Sequence, residues 1–223
     1  MPYGASCVAI PGAAAATTRF LNTKCRYRQT IIHNYIPYSP VMIDLSSISD
    51  IHTHRLPAEA GTAIVNLPME ALESGQFEFK EGQFYSAGIH PLYEGEWEQA
   101  WINLQNLAEH PQIVAVGECG LDKRAHSPLG RQMQFLDWQM ALADQLQKPL
   151  IIHCVKAWDE LLMIHRQAAT PNVHIVHGFR GKPELAAQLL SAGLYLSFGK
   201  RYNGASFELC PPDRRFRETD TLE

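Results

Sequence analysis

The sequence predicts an α/β protein with a TIM-barrel-like (β/α) barrel, and three observations carry that prediction. From about residue 43, short aliphatic runs alternate with amphipathic helical stretches, the pattern of a parallel sheet joined by crossover helices. Eight such runs can be counted. Histidines or carboxylates stand where several of them stop, and barrel active sites are built at the C-terminal ends of the strands. At 223 residues and 46% hydrophobic composition, the chain suffices for one such domain with a full core and is short for two.

Taken in order, the runs at 49–54, 63–67, 84–89, 113–117, 150–154, 173–177, 194–198 and 215–218 are rich in β-branched and aliphatic residues and are expected to be strands. Helices are expected near 96–109, 129–147, 157–167 and 182–192. The last opens on Lys182-Pro183-Glu184, with proline tolerated in a first turn, and stops at Gly193. Between His54 and Ala63 there is no room for a helix of ordinary length, so the first βα unit is expected to be compressed. After the eighth run the chain stops within a few residues. A truncated last helix is therefore expected, with apolar surface exposed on the outer face of the eighth strand.

Residues 1–43 carry Arg19, Lys24, Arg26 and Arg28 and no acid, and they lack clear periodicity. We expect residues 1–42 to be a disordered or non-native extension, with Met42 the natural start just before the first strand, rather than a targeting segment. Residues 43–223 are expected to form the barrel. No stretch approaches the roughly 18 consecutive apolar residues of a membrane span, so no membrane association is expected. The five cysteines are odd in number and show no C-x-x-C pattern, which points to a reducing, cytoplasmic setting.

The N-terminal +4 leaves a body of charge −8. Such a body does not advertise the phosphate-neutralising surface of a nucleic-acid binder. It does not exclude a nuclease, because metal ions can supply positive charge locally.

His52 and His54 lie two apart at the end of an apolar strand, so both imidazoles face the same way and can reach one ion. Glu118 ends the run Ile113-Val114-Ala115-Val116-Gly117, where an ionised carboxylate is costly unless paired or bound to metal. Its two oxygens can bridge two cations. His153 follows Leu150-Ile151-Ile152, and His177 follows Ile175-Val176. Taken alone, each would more often be a hydrogen-bonded core histidine; in company with the others, each stands at a strand end. Alternation puts His174 out of phase with His177 and assigns it to packing. His33, His110, His126 and His165 fall on expected loops or helices and are read as solvated. Asp220, at the end of the last strand, can ligate a metal and take a proton from water. His90, ending another strand, can orient an anionic substrate. Arg180 and Lys200 are candidate phosphate contacts.

In this order, DIHTH, GIHP, VGECGLD, PLIIHC, VHGF and ETD, spread over roughly residues 50–220, resemble the TatD family of metal-dependent deoxyribonucleases, within the amidohydrolase-like barrels. The resemblance implies a two-metal site bridged by Glu118. It assigns His52, His54 and Asp220 to one ion and His153 with His177 to the other. It also implies 3′-to-5′ phosphodiester hydrolysis of DNA. Four features depart from the family pattern: the stretch after the first strand is shortened, GIHP is followed by Leu92-Tyr93, GLD runs into Lys123, and Thr221-Leu222-Glu223 stands where the family continues with a loop and a closing helix.

Four imidazoles and two carboxylates suit Zn, Mn or Fe, with Mg serving where phosphate oxygens join the shell. DNA is the expected partner, and no obligate protein partner is evident. Two alternatives stand beside this reading. The same ligands would serve an amidohydrolase-type enzyme acting on a small ester or amide, or a truncated, non-catalytic metal-binding fragment.

Overall fold

A computed structural model describes residues 43–220. The expectation for residues 1–42 and the one for His33 lie outside the described residues. Eight parallel strands pair strictly in sequence order: β1 (Asp50–Thr53), β2 (Ala63–Asn66), β3 (Phe84–Ala87), β4 (Ile113–Asp122), β5 (Leu150–Val155), β6 (His174–Val176), β7 (Tyr195–Phe198) and β8 (Arg215–Arg217). The helices between them are α1 (Met69–Ser74), α2 (Trp97–Ala108), α3 (Leu129–Leu146), α4 (Trp158–Ala168), α5 (Pro183–Ser191) and α6 (Gly204–Leu209). The barrel is nearly closed.

The expected elements are all present, within a residue or two at most ends. No helix separates β1 from β2, so the first unit is compressed as expected. Strand β4 is the exception in length: it runs on to Asp122 and is buried at every position. Helices α1 and α6 were not expected. Each has six residues, too few turns for an apolar stripe to declare itself.

Two cores hold the barrel. Ile51, Ile64, Val114, Ala115, Ile151 and Ile175 fill its interior, with Phe84, Tyr195 and Phe216 packed against them. The larger core lies between strands and helices, where Leu104, Leu136, Leu161 and Leu189 are fully buried. Burying each such side chain contributes roughly 1.5–3 kcal/mol. This double burial is why the strands read as continuous apolar runs.

The outer face of β8 is not apolar, contrary to expectation. Alternation turns Phe216 inward and Arg215 and Arg217 outward. Their guanidinium carbons lie 4.0 and 4.1 Å from the ring centre of Phe207 in α6, so cations over an aromatic ring cover this strand.

β1 and β8 meet through a seam rather than a ladder. The Thr219 amide and hydroxyl donate to the two carboxylate oxygens of Asp50 at 3.0 and 2.7 Å. The Asp220 amide donates to the His52 carbonyl at 3.2 Å.

Two histidines read as solvated are not. The His110 ring is partly buried and stacks on Phe79 with centres 3.7 Å apart. His165 is buried, its ring nitrogens 3.0 Å from His174 Nδ1 and 2.9 Å from the Ala192 carbonyl. His126 is exposed, as expected, beside Glu94. Lys148 is buried as well; its ammonium donates to the Ala108 and His110 carbonyls at the end of α2, and burial pushes its pKa down to about 8.

The His165–His174 pair makes the fold sensitive to acid. Burial, aided by His165, pushes His174 down to about 4, against about 6.5 in an unfolded chain. The folded state therefore refuses a proton that the unfolded state accepts. This contribution is complete above about pH 6.5 and is lost as the pH falls towards 4, by about 3 kcal/mol. Urea unfolding of the wild type and His174→Leu at about pH 7.5 and about pH 4.5 checks this; the variant should lose less stability across the interval.

Candidate metal centre

Irregular register aims the site. Pairing shifts between Asp50 and Thr53 in β1 and between Val116 and Cys119 in β4, at the positions carrying His52 and Glu118. Such bulges re-aim side chains beside functional sites. Gly117 and Gly120 flank Glu118 with φ of +132° and +146°. A Cβ at either would collide with a β5 carbonyl oxygen, that of Ile151 or of His153. Only glycine lets β4 and β5 approach this closely with the Glu118 side chain turned into the barrel mouth.

Glu118 is the hub. Its Oε1 lies 2.7 Å from His177 Nε2, 2.8 Å from His153 Nδ1 and 3.0 Å from His90 Nε2. Its Oε2 lies 3.3 Å from His52 Nε2. Asp220 Oδ1 stands 3.6 Å from both His52 Nε2 and His54 Nε2. Each Glu118 oxygen therefore faces a different set of imidazoles. His52, Glu118 and His177 are buried, while His54, His90, His153 and Asp220 are partly open to the barrel mouth.

The electrostatics follow from this crowding. Burial works to raise the pKa of Glu118, but the His177 charge, hydrogen bonds from His153 and His177 and the nearby His52 imidazole outweigh it and hold the carboxyl well below its usual range. Burial works to lower His177, but Glu118 and then Glu218 lift it well above an ordinary imidazole. Burial opposes ionisation of Asp220 too, and His54 with the neighbouring imidazoles overcomes it, lowering its pKa.

These residues fit divalent cations. Four groupings offer ligand atoms within 4.8 Å of one another: His52–His54–Asp220, His52–Glu118–His177, His90–Glu118–His153 and His177–Glu218–Asp220. Both ring nitrogens of His52, Nδ1 of His177 and both carboxylate oxygens of Glu218 are buried without a hydrogen bond. Such orphaned groups are costly unless a cation or another partner satisfies them. Imidazole and carboxylate together suit borderline divalent metals.

The six expected metal ligands, His52, His54, Glu118, His153, His177 and Asp220, are thus brought together, with His90 beside them. His90, expected as a substrate-orienting residue, stands with its Nε2 3.0 Å from Glu118 Oε1 and is partly open to the barrel mouth. Arg180 is exposed in the loop after β6 and makes no ion pair among the described residues. His174 lies away from the centre, paired with His165.

Three supporting residues escaped the sequence reading. Asn66 Oδ1 accepts from the Glu118 amide at 2.8 Å and the Ser86 hydroxyl at 3.1 Å, fixing the backbone under the hub. Asp122 Oδ2 lies 3.1 Å from His153 Nε2. Burial opposes its ionisation, yet hydrogen bonds from Arg124 and His153 bring it down to about 2, so a carboxylate backs this imidazole. Glu218 Oε1 lies 3.7 Å from His177 Nδ1. A strand running five residues beyond Gly117 would have exposed Asp122; nothing local marks Asn66.

Comparison with known proteins places the chain in a family. A family model described as TatD related DNase matches residues 60–221, beginning beyond His54. The chain is 33% identical over 175 residues to the 3′-5′ ssDNA/RNA exonuclease TatD of Erwinia billingiae, covering 71% of this chain and 67% of that protein. It is 34% identical over 146 residues to its namesake from Musicola paradisiaca, covering 60% and 55%. The chain thus spans between about half and two thirds of these relatives' length. Among solved structures, the TatD homolog YJJV from Escherichia coli K12 superposes with a TM-score of 0.63 at 24% identity, covering 78% of each chain. A TatD family hydrolase from Entamoeba histolytica gives 0.55 at 20%, covering 71% of this chain and 60% of that one. At these identities the superpositions speak for the fold alone.

Asp50 anchors the backbone that presents Asp220, so Asp50→Ala should loosen that ligand. Affinity for Zn or Mn is expected to fall about ten-fold or more. Titration of the metal-stripped variant against metal-stripped wild type measures the change.

Proposed function

The chain belongs to the TatD-related DNase family, and from that premise we propose that it is a metal-dependent phosphodiesterase acting on single-stranded nucleic acid from its 3′ end. One observation carries the reading: the buried Glu118 carboxylate, with one oxygen facing His90, His153 and His177 and the other facing His52. That arrangement suits a bridge between two ions, Zn, Mn or Mg. His52, His54 and Asp220 would hold one ion and His153 with His177 the other. The named activity of the relatives supports the substrate class.

Divalent cations bound there supply Lewis-acid polarisation of the phosphate and a water that ionises near neutral pH. The chain's residues do the rest. Glu118 fixes the spacing of the two ligand sets. Asp220, whose lowered pKa keeps it ionised, accepts the water's proton at a carboxylate oxygen. His90, partly exposed beside Glu118, positions a non-bridging phosphate oxygen. Asp122 holds the His153 ring, and Asn66 holds the Glu118 backbone. Arg180, from the loop after β6, neutralises a neighbouring phosphate.

No helix among the described residues is long and apolar enough to cross a membrane. Cys119, Cys154 and Cys210 are free and buried, which supports a reducing, cytoplasmic setting.

Elemental analysis of purified protein should find about two divalent metals per chain. A fluorescent single-stranded oligonucleotide should be shortened with Mg or Mn present and spared with a chelator. Glu118→Ala should lower turnover by a factor of about a thousand or more, while circular dichroism shows the barrel intact. Full activity in that variant would end the two-ion reading.

A further inference from the structure

The cations around the barrel mouth divide into two groups. Those following β4 are neutralised: Lys123 pairs with Glu160 at 2.8 Å, Arg124 with Asp122 at 2.7 Å and Arg131 with Glu98 at 2.7 Å. Arg55, Lys156, Arg180, Lys200, Arg201 and Arg217 are exposed and form no ion pair among the described residues. These six stand at the top of β8 or in the loops after β5, β6, β7 and β1. Strand order, continued across the β8–β1 seam, makes those positions one contiguous arc. The arc's strand-end carboxylates, Glu218 and Asp220, are grouped with His177 in the metal centre, and the six cations outnumber the exposed acids Glu59, Asp159, Glu184 and Glu208 of the same connections.

The middle of this arc also carries an aromatic surface. Tyr202 is 39% exposed and rests on Phe198 and Phe207, with ring centres 5.9 and 5.0 Å away. The Arg217 guanidinium carbon lies 5.1 Å from the Tyr202 ring centre and 4.1 Å from that of Phe207. Two rings therefore hold Arg217 in place, while its guanidinium makes no hydrogen bond among the described residues. A planar cation ordered in advance, with its donors unspent, suits a phosphate. The surface adjoins the metal centre: a Cβ at Gly199, the residue before Lys200, would stand 3.5 Å from Glu218 Oε1.

We propose that Lys200, Arg201, Tyr202 and Arg217 form a track for the single-stranded nucleic acid that leads into the metal centre. The phosphates lie along the arginines and lysine, and one unpaired base stacks against Tyr202. Alternating cations and an exposed ring bind single strands irrespective of sequence, whereas a base within a duplex is already stacked and cannot reach the ring. The track rests on the phosphodiesterase reading and deepens it. It also shows how a chain of net charge −4 can hold a polyanion, since the basic residues concentrate on one rim.

Binding and hydrolysis test the two ideas separately. Fluorescence anisotropy in a chelating buffer follows binding of labelled dT15, rU15 and a dT15·dA15 duplex to the whole chain. Tyr202→Ala should weaken single-strand binding about ten-fold. Arg201→Glu should weaken it further and lessen its salt dependence. The tighter of dT15 and rU15 names the sugar, and loss in the variants on either strand supports the track. Variant affinities within twofold of wild type, or duplex bound as tightly as single strand, would overturn it. With Mn restored, the ratio of kcat/KM on dT15 to that on bis(p-nitrophenyl) phosphate should fall about ten-fold or more in both variants. If the wild type hydrolyses neither substrate, the phosphodiesterase reading fails, and the anisotropy still decides the track.

Discussion

A carboxylate surrounded by imidazoles at the mouth of a barrel sets the terms for everything around it. Glu118 is almost wholly buried, and an ion there without partners would cost several kcal/mol. His52, His90, His153 and His177, from the ends of β1, β3, β5 and β6, converge on its two oxygens. Their convergence fixes the height at which those strands must end. The glycines either side of it fix how closely β4 and β5 may approach, and the bulges in β1 and β4 turn the side chains inward. The interior below is filled largely by aliphatic side chains. The metal-ligating groups stand at one end of the barrel, over an apolar floor.

Much of this was legible in the sequence because of how parallel sheets are buried. Strands covered on both faces show uninterrupted aliphatic runs, so all eight could be read, and α2 to α5 are long enough to show their stripes. Helices α1 and α6, with fewer than two turns each, leave no such trace. The ligand residues stood out because histidines and acids interrupted apolar runs. Asn66 and Asp122 did not, since an amide or a carboxylate near a presumed turn looks like any loop residue.

The misread histidines teach a different lesson. His165 follows Leu161, Leu162 and Ile164 on the buried side of α4, and helical spacing alone would have assigned it to that face. His110 just after α2 carried no such periodicity; its stacking on Phe79 is a long-range contact. The outer face of β8 departs from expectation through architecture: an uncovered strand is expected to expose apolar surface, whereas Arg215 and Arg217 share the Phe207 ring. Sequence pattern reports burial well; it reports poorly what a cation can cover.

The seam between β1 and β8 has a consequence for how the molecule breathes. Backbone ladders join every other neighbouring pair of strands, but here the Asp50–Thr219 pair and one backbone hydrogen bond, from Asp220 to His52, hold the edges together. The barrel is a hoop with a clasp, and opening the clasp should be its cheapest large fluctuation. His52 and His54 stand on one side of the clasp and Asp220 on the other. An ion shared among them would lock the hoop shut, so that metal occupancy and mechanical closure become one equilibrium. Amide protons of the first and last strands would then exchange at a rate that reports how much metal the protein holds.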